Sequence, residues 1–145
     1  MSILNIISDS WGWTGIKPDK IIGENHFGNL MIKDVEGKFW RICPEDLYCE
    51  VIAQSKDELD IISKDPEFLE DWYMKNLVYQ AEEKFGELEE GQKFCFAIPG
   101  SLGGEYGITN IKTAPLTEII GFSGDVANQI KDLPDGSQVN FEFID

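Results

Sequence analysis

Positive charge is scarce in this sequence: 12 Lys and Arg stand against 27 Asp and Glu, a formal net charge of −15 over 145 residues. A field of that sign repels phosphate backbones and anionic headgroups, which excludes nucleic acid and membrane surfaces as natural ligands. It attracts basic proteins, and electrostatic steering speeds their capture. Histidine is scarcer still, with His26 the single example. One imidazole without a nucleophile at recognisable spacing is poor material for acid–base or covalent catalysis, so the expectation is a protein that is not an enzyme and has no catalytic residue. Cysteine is limited to Cys43, Cys49 and Cys95. The odd count and the absence of paired short spacings argue against a disulfide framework and against structural zinc. They read as reduced thiols packed among apolar residues, with no metal and no cofactor implied. No apolar stretch approaches the ~20 residues a bilayer requires. The short apolar run within Met1 to Ile7 has no Lys or Arg before it, which is unlike a secretory signal, and the expected location is cytoplasmic.

Apolar residues are present in quantity. They make up 42% of the chain and include nine Phe, four Trp and four Tyr, enough burial to offset chain entropy and to place the charge on a folded surface. The length suits one domain spanning residues 1–145.

Periodicity predicts an α+β fold, a mainly antiparallel sheet with a two-helix acidic insertion, one further helix and a C-terminal strand. Ile3, Leu4, Ile7 and Trp11 have helical spacing, and Gly15 and Pro18 stop that helix. Between Phe27 and Ala53, three short runs (Asn29 to Lys33, Lys38 to Cys43, Leu47 to Ala53) form a meander. Ser55 and Glu58 make a capping box for a short helix. Asp65-Pro66-Glu67 then opens a second helix, with a cap, a proline at the first turn and an acidic residue at the positive dipole end. Leu69, Tyr73, Leu77, Ala81 and Phe85 give it a core stripe as far as Gly86. Phe94 to Ile98 reads as a central strand, and Asn110-Ile111-Lys112 resumes the sheet. Pro115 to Phe122 fits either an extended or a helical conformation. A helix from Gly124 to Ile130 and a final strand through Val139, Phe141 and Phe143 complete the chain.

Two segments invite functional readings. Gly100 to Gly107 is rich in glycine, but it lacks the ending of a P-loop and the spacing of a dinucleotide fingerprint. A turn between strands needs the same glycines, although Leu102, Glu105 and Tyr106 are placed to touch a protein partner. Charge is also unevenly distributed. Residues 57–90 hold 12 acidic residues and three lysines, nine of the fifteen net charges in 34 positions. Solvated helix faces commonly alternate Glu with Lys at i,i+4; the scarcity of Lys here marks a surface for a basic partner.

Several blocks resemble a family of bacterial immunity proteins that act against type VI secretion DNase toxins, in its C-terminal domain. They are Trp11-Gly12-Trp13-Thr14-Gly15, Gly23-Glu24-Asn25-His26-Phe27-Gly28-Asn29, and Trp40 through Glu50. Later blocks are Leu102-Gly103-Gly104-Glu105-Tyr106, Asn110-Ile111 and Gln129 through Gly136. Some members of the family carry a further N-terminal domain. No catalytic motif comes with the resemblance. It implies a cognate toxin as partner, one with a basic active-site region that the acidic surface occludes. Trp11, Trp13, Phe27, Trp40 and Tyr48 then build the body, while Asp65, Glu67, Glu70, Asp71, Glu82, Glu83, Glu89 and Glu90, with Leu102, Glu105 and Tyr106, are the expected contacts. Two other functions fit the composition: a small enzyme reversing a toxin's modification through Glu50, His26 or the glycine loop, and an acidic adaptor with no toxin.

Overall fold

A four-stranded antiparallel meander carries helices on both faces, and the computed structural model that shows it describes residues 2–133. The strands are β1 (Pro18–Glu24), β2 (Leu30–Asp34), β3 (Phe39–Cys43) and β4 (Tyr48–Ala53), in that spatial order. On one face, Leu30, Ile32, Ile42 and Cys49 meet Ile7 and Trp11 of α1 (Ile3–Trp11) and Ile120 and Ala127 of α5 (Leu116–Ile130). Ser2 caps α1 by accepting from the Asn5 amide at 3.2 Å. The indole of Trp11 donates to the Ile120 carbonyl at 3.2 Å, pinning α1 to α5. Gly124 lets the two helices touch, since a Cβ there would lie 2.5 Å from the Ser10 carbonyl oxygen. On the other face, Phe39 and Ala53 pack with Leu59 of α2 (Lys56–Ile62).

The turn from β2 to β3 is organised by one carboxylate. Asp34 Oδ1 accepts from the amides of Glu36 at 2.8 Å and Lys38 at 2.9 Å, and Oδ2 accepts from the Trp40 indole at 2.9 Å. Burial works against the Asp34 charge, but these donors outweigh it and hold the carboxyl below its usual range.

The expected meander strands are present, and the sheet also begins one strand earlier. β1 is an edge strand with two register shifts against β2 and little burial. Its Pro18 and Gly23 and its weak alternation hide it from pattern reading. The second helix of the acidic insertion, expected to run unbroken from Asp65 to Gly86, is two helices. α3 (Pro66–Tyr73) and α4 (Lys75–Phe85) meet at Met74, whose φ of +48° is left-handed. The projected stripe fails at Tyr73 and Phe85, both exposed, whereas Ala81 is fully buried.

Among the described residues, Phe94 to Ile98 is not a central strand. Among those residues, β5 (Gln92–Phe96) pairs only with β6 (Ile111–Pro115), in a separate two-stranded ladder. Phe94, Phe96 and Ile111 pack with Phe27 and with Ala81 of α4, a second core beneath the insertion. α5 begins at Leu116 rather than Gly124, which resolves the ambiguous segment as helix. The expected strand through Val139, Phe141 and Phe143 lies outside the described residues.

Candidate functional site

Where α4 ends, the chain turns through Glu87 to Gly91 into β5. An acidic cleft of about 500 Å³ opens there, lined by Glu24, His26, Glu82, Glu87, Glu89 and Glu90 together with Leu88, Gln92, Lys93 and Leu116. Its five carboxylates face one ammonium, that of Lys93, which is already bound to Glu24 Oε1 at 2.8 Å. Local structure explains the gathering. Gly86 and Gly91 take positive φ at the two ends of the turn, so the chain reverses tightly and crowds its glutamates instead of spreading them along a helix. The Leu116 amide donates to the Gly91 carbonyl at 2.9 Å, tying the turn to the start of α5. His26 is exposed on the loop before β2, and its carbonyl accepts from the Phe94 amide at 2.9 Å.

Of the residues named from sequence, Glu82, Glu89 and Glu90 converge in this cleft. Glu83 is exposed on α4 outside the cleft lining. Glu24, His26 and Glu87 also line the cleft and are not among the contacts expected from sequence. Glu87 sat inside the acidic run and was readable there, whereas Glu24 and His26 arrive through the tertiary fold. The α3 group is separate. Asp65 caps the helix by accepting from the Glu67 amide at 3.0 Å, and Glu67 and Glu70 are exposed.

Asp71 has a structural partner. Its Oδ2 lies 2.5 Å from the guanidinium of Arg41, which is almost wholly buried while the Asp71 side chain is 67% exposed. Arg41 also donates from Nε and an Nη to Asn29 Oδ1, at 3.0 and 2.8 Å, and stacks 5.2 Å above the Trp72 ring. Asn29 donates in turn to both oxygens of Glu45, at 3.1 and 2.8 Å. Burial raises the Glu45 carboxyl above its ordinary range, opposed by Asn29 and by the Arg41 charge. No buried polar side-chain atom among the described residues is left without a partner, so this chain of groups is a satisfied anchor for α3.

The glycine loop forms a compact surface of its own. Asn110 staples it by accepting from the Ile98 amide at 2.9 Å and donating to the carbonyls of Ile98 and Glu105, at 2.8 and 2.9 Å. Gly103 has a positive φ, and a Cβ on Gly104 would lie 1.8 Å from the Ile98 carbonyl oxygen. These glycines therefore serve a tight backbone approach. Tyr106 stands half exposed and donates to Asp46 Oδ1, while Leu102 and Glu105 flank it. Burial, with the bond to Asp46, raises the Tyr106 phenol above its usual range.

Among the described residues, no three His, Cys, Asp or Glu groups are placed to hold a metal ion, and no helix is long and apolar enough to cross a membrane. Burial raises all three thiols, Cys95 to about 11 and Cys49 to about 12, so each stays protonated at neutral pH.

A family model described as T6SS immunity protein Tdi1, C-terminal, matches residues 53–127. The match takes in α2, α3, α4, the acidic turn and both strands of the small ladder. Of the sequence blocks that resemble the family, Leu102 to Tyr106 and Asn110-Ile111 fall inside it, and the others lie on either side. No curated protein matches the chain.

Proposed function

Because this chain belongs to the T6SS immunity protein Tdi1 family, we propose that it protects a bacterial cell by binding a cognate secreted toxin and covering the basic region where that toxin holds its substrate. The observation that carries this reading is the acidic cleft of Glu82, Glu87, Glu89 and Glu90, inside the matched segment and joined by Glu24. A concave cluster of carboxylates with one ammonium suits the Arg and Lys side chains that line a polyanion-binding cleft. Exposed Glu67 and Glu70 on α3, Glu83 on α4 and the Tyr106 loop extend the contact surface. Inhibition of this kind is steric and electrostatic and needs no chemistry from the inhibitor.

Co-expression with the toxin encoded beside its gene tests the proposal. Growth should be restored and the two proteins should co-purify. A toxin that remains lethal and elutes alone would overturn it. Restored growth without a stable complex, accompanied by a mass change on the toxin's target, would favour an enzyme that reverses the toxin's modification.

A further inference from the structure

Most aromatic rings of the acidic insertion are occupied. Phe68 stacks on Trp72, and Phe85 lies against Phe94 with the Lys84 ammonium 5.2 Å from its centroid. Tyr73 and Tyr79 differ. They are 51% and 65% exposed, and neither makes a ring contact or a side-chain hydrogen bond with another described residue. Single exposed apolar groups are ordinary on protein surfaces, so exposure alone assigns nothing.

What sets Tyr79 apart is its surroundings on α4. Leu77, Val78 and Ala81 pack toward Phe94 and Ile111, which turns Asn76, Tyr79, Gln80 and Glu83 outward at the ~100° per residue of a helix. Tyr79 takes the flank of that outward face next to Glu82, which lines the acidic cleft, and stands one turn before exposed Glu83. Residues three and four apart are neighbours on a helix, and helical side chains lean toward its N-terminus. Both carboxylates therefore lean over the turn that carries the ring. Three and four residues past Tyr73 stand Asn76 and Leu77 instead, beyond the bend at Met74.

The chain itself shows what a ring beside a carboxylate can hold. Arg41 lies 5.2 Å from the Trp72 centroid and 2.5 Å from Asp71, so one guanidinium takes an aromatic face and a carboxylate together. A planar, weakly hydrated guanidinium suits both contacts, whereas an ammonium is a compact, strongly hydrated point charge. Tyr79 with Glu82 and Glu83 offers the same two kinds of group turned outward, and no cation of the described residues lies over its ring.

We propose that Tyr79 is the aromatic anchor of the partner interface, taking an arginine of the cognate toxin across its ring while Glu83 pairs with the guanidinium at the lip of the acidic cleft. The assignment rests on toxin neutralisation as proposed above and adds what charge alone does not supply. Carboxylates in water steer a basic partner but hold it weakly. A large ring that loses its water on contact fixes the complex once formed. The cleft governs how fast the toxin arrives, and Tyr79 how long it stays.

Surface plasmon resonance with the toxin encoded beside the gene compares the parent with Tyr79→Ala, Tyr79→Phe and Tyr79→Leu. Tyr79→Ala should weaken affinity about thirtyfold or more, the size of an interface hot spot. The loss should lie in faster dissociation, with association within about twofold of the parent. Tyr79→Phe keeps the ring face and should stay close to the parent, and Tyr79→Leu should not. A double-mutant cycle with Glu83→Gln should be non-additive, because both residues hold one group. At saturating inhibitor, phenylglyoxal should spare at least one toxin arginine in the parent complex that it modifies in the Tyr79→Ala complex. Parent-like affinity in Tyr79→Ala overturns the proposal, as does full affinity in Tyr79→Leu, an additive cycle or the absence of any such arginine. The melting temperature of Tyr79→Ala should match the parent's, given its exposure; should it fall, the contrast between Tyr79→Phe and Tyr79→Leu decides by the same criteria. A parent that neither binds nor neutralises the toxin ends toxin neutralisation and the anchor together. A parent that does both while Tyr79→Ala equals it ends the anchor alone.

Discussion

Arg41 of β3 and Asp71 of α3 form an ion pair at 2.5 Å in which one partner is buried and the other is mostly in water. The asymmetry sets what each side contributes. Removing the buried cation strands Asn29 and Glu45, whereas removing the exposed anion leaves Arg41 its bonds to Asn29 and its stacking on Trp72. Arg41→Leu should therefore lower stability by about 3–5 kcal/mol, and Asp71→Asn by no more than about 1 kcal/mol, given its exposure. Urea denaturation of the two variants checks the ratio; equal losses would mean that the pair, not the buried network, holds α3.

Charge reversal is the direct probe of the proposed interface, and Asp71 has to be left out of it because its substitution also disturbs the anchor. Glu87→Lys, Glu89→Lys and Glu90→Lys together should weaken toxin binding by at least about tenfold at low salt, chiefly through the association rate. The salt dependence of association should flatten as well. Glu67→Lys with Glu70→Lys tests α3 separately. Unchanged affinity in both variants would move the interface elsewhere, with the Tyr106 loop next to be tested.

Glu45 gives the protein a pH signature. Its folded value is raised by burial, so its contribution to stability is fullest below the unfolded carboxyl value of about 4.3. That contribution is lost as pH rises through the higher folded value. Glu45→Gln cannot titrate. Measured relative to the parent, the variant should lose stability as pH falls from 7 toward 4, because only the parent gains on protonating Glu45. Melting temperatures across that range measure it, and a variant that gains on the parent on acidification would contradict the assignment.

Two glycines separate helix propensity from packing. Gly124→Ala adds about 1 kcal/mol of propensity within α5, yet its Cβ would sit 2.5 Å from a backbone oxygen of α1. Backbone does not give way as a side-chain tip does, and separating the helices costs about 1–3 kcal/mol. A lowered melting temperature is expected. Gly121→Ala, whose Cβ meets only Ile6 at 3.9 Å, should be neutral or stabilising and serves as the control.

Much of this fold is local enough to read along the chain. The Ser55 and Asp65 caps hold, each accepting an amide from its own first turn, because capping is decided within four residues. Met74 could not be read in the same way. Its left-handed conformation breaks an apparently continuous stripe, and Asn25, 49 residues earlier in sequence, fixes the break by donating to the Trp72 carbonyl at 2.8 Å. β1 was hidden because an edge strand with bulges needs little alternation. The site divided in the same manner. Glu82, Glu89 and Glu90 were legible as a run of charge, but Glu24 and His26 reach the cleft only because the loop before β2 packs against β5. Composition could not show that Asp71 is half anchor, since that depends on a buried arginine thirty positions away.

The bend at Met74 also sets how force passes through the molecule. α3 is fastened to the large sheet by Arg41 and Trp72, and α4 to the small ladder by Ala81 against Phe94. Asn25 rivets the joint, since it holds the Trp72 carbonyl while its own side-chain oxygen accepts from the amides of Phe27 and Asn29. The two short helices thus act as a strap across two foundations. A partner gripping both at once would load the sheets in parallel, so the strap resists being peeled from either end.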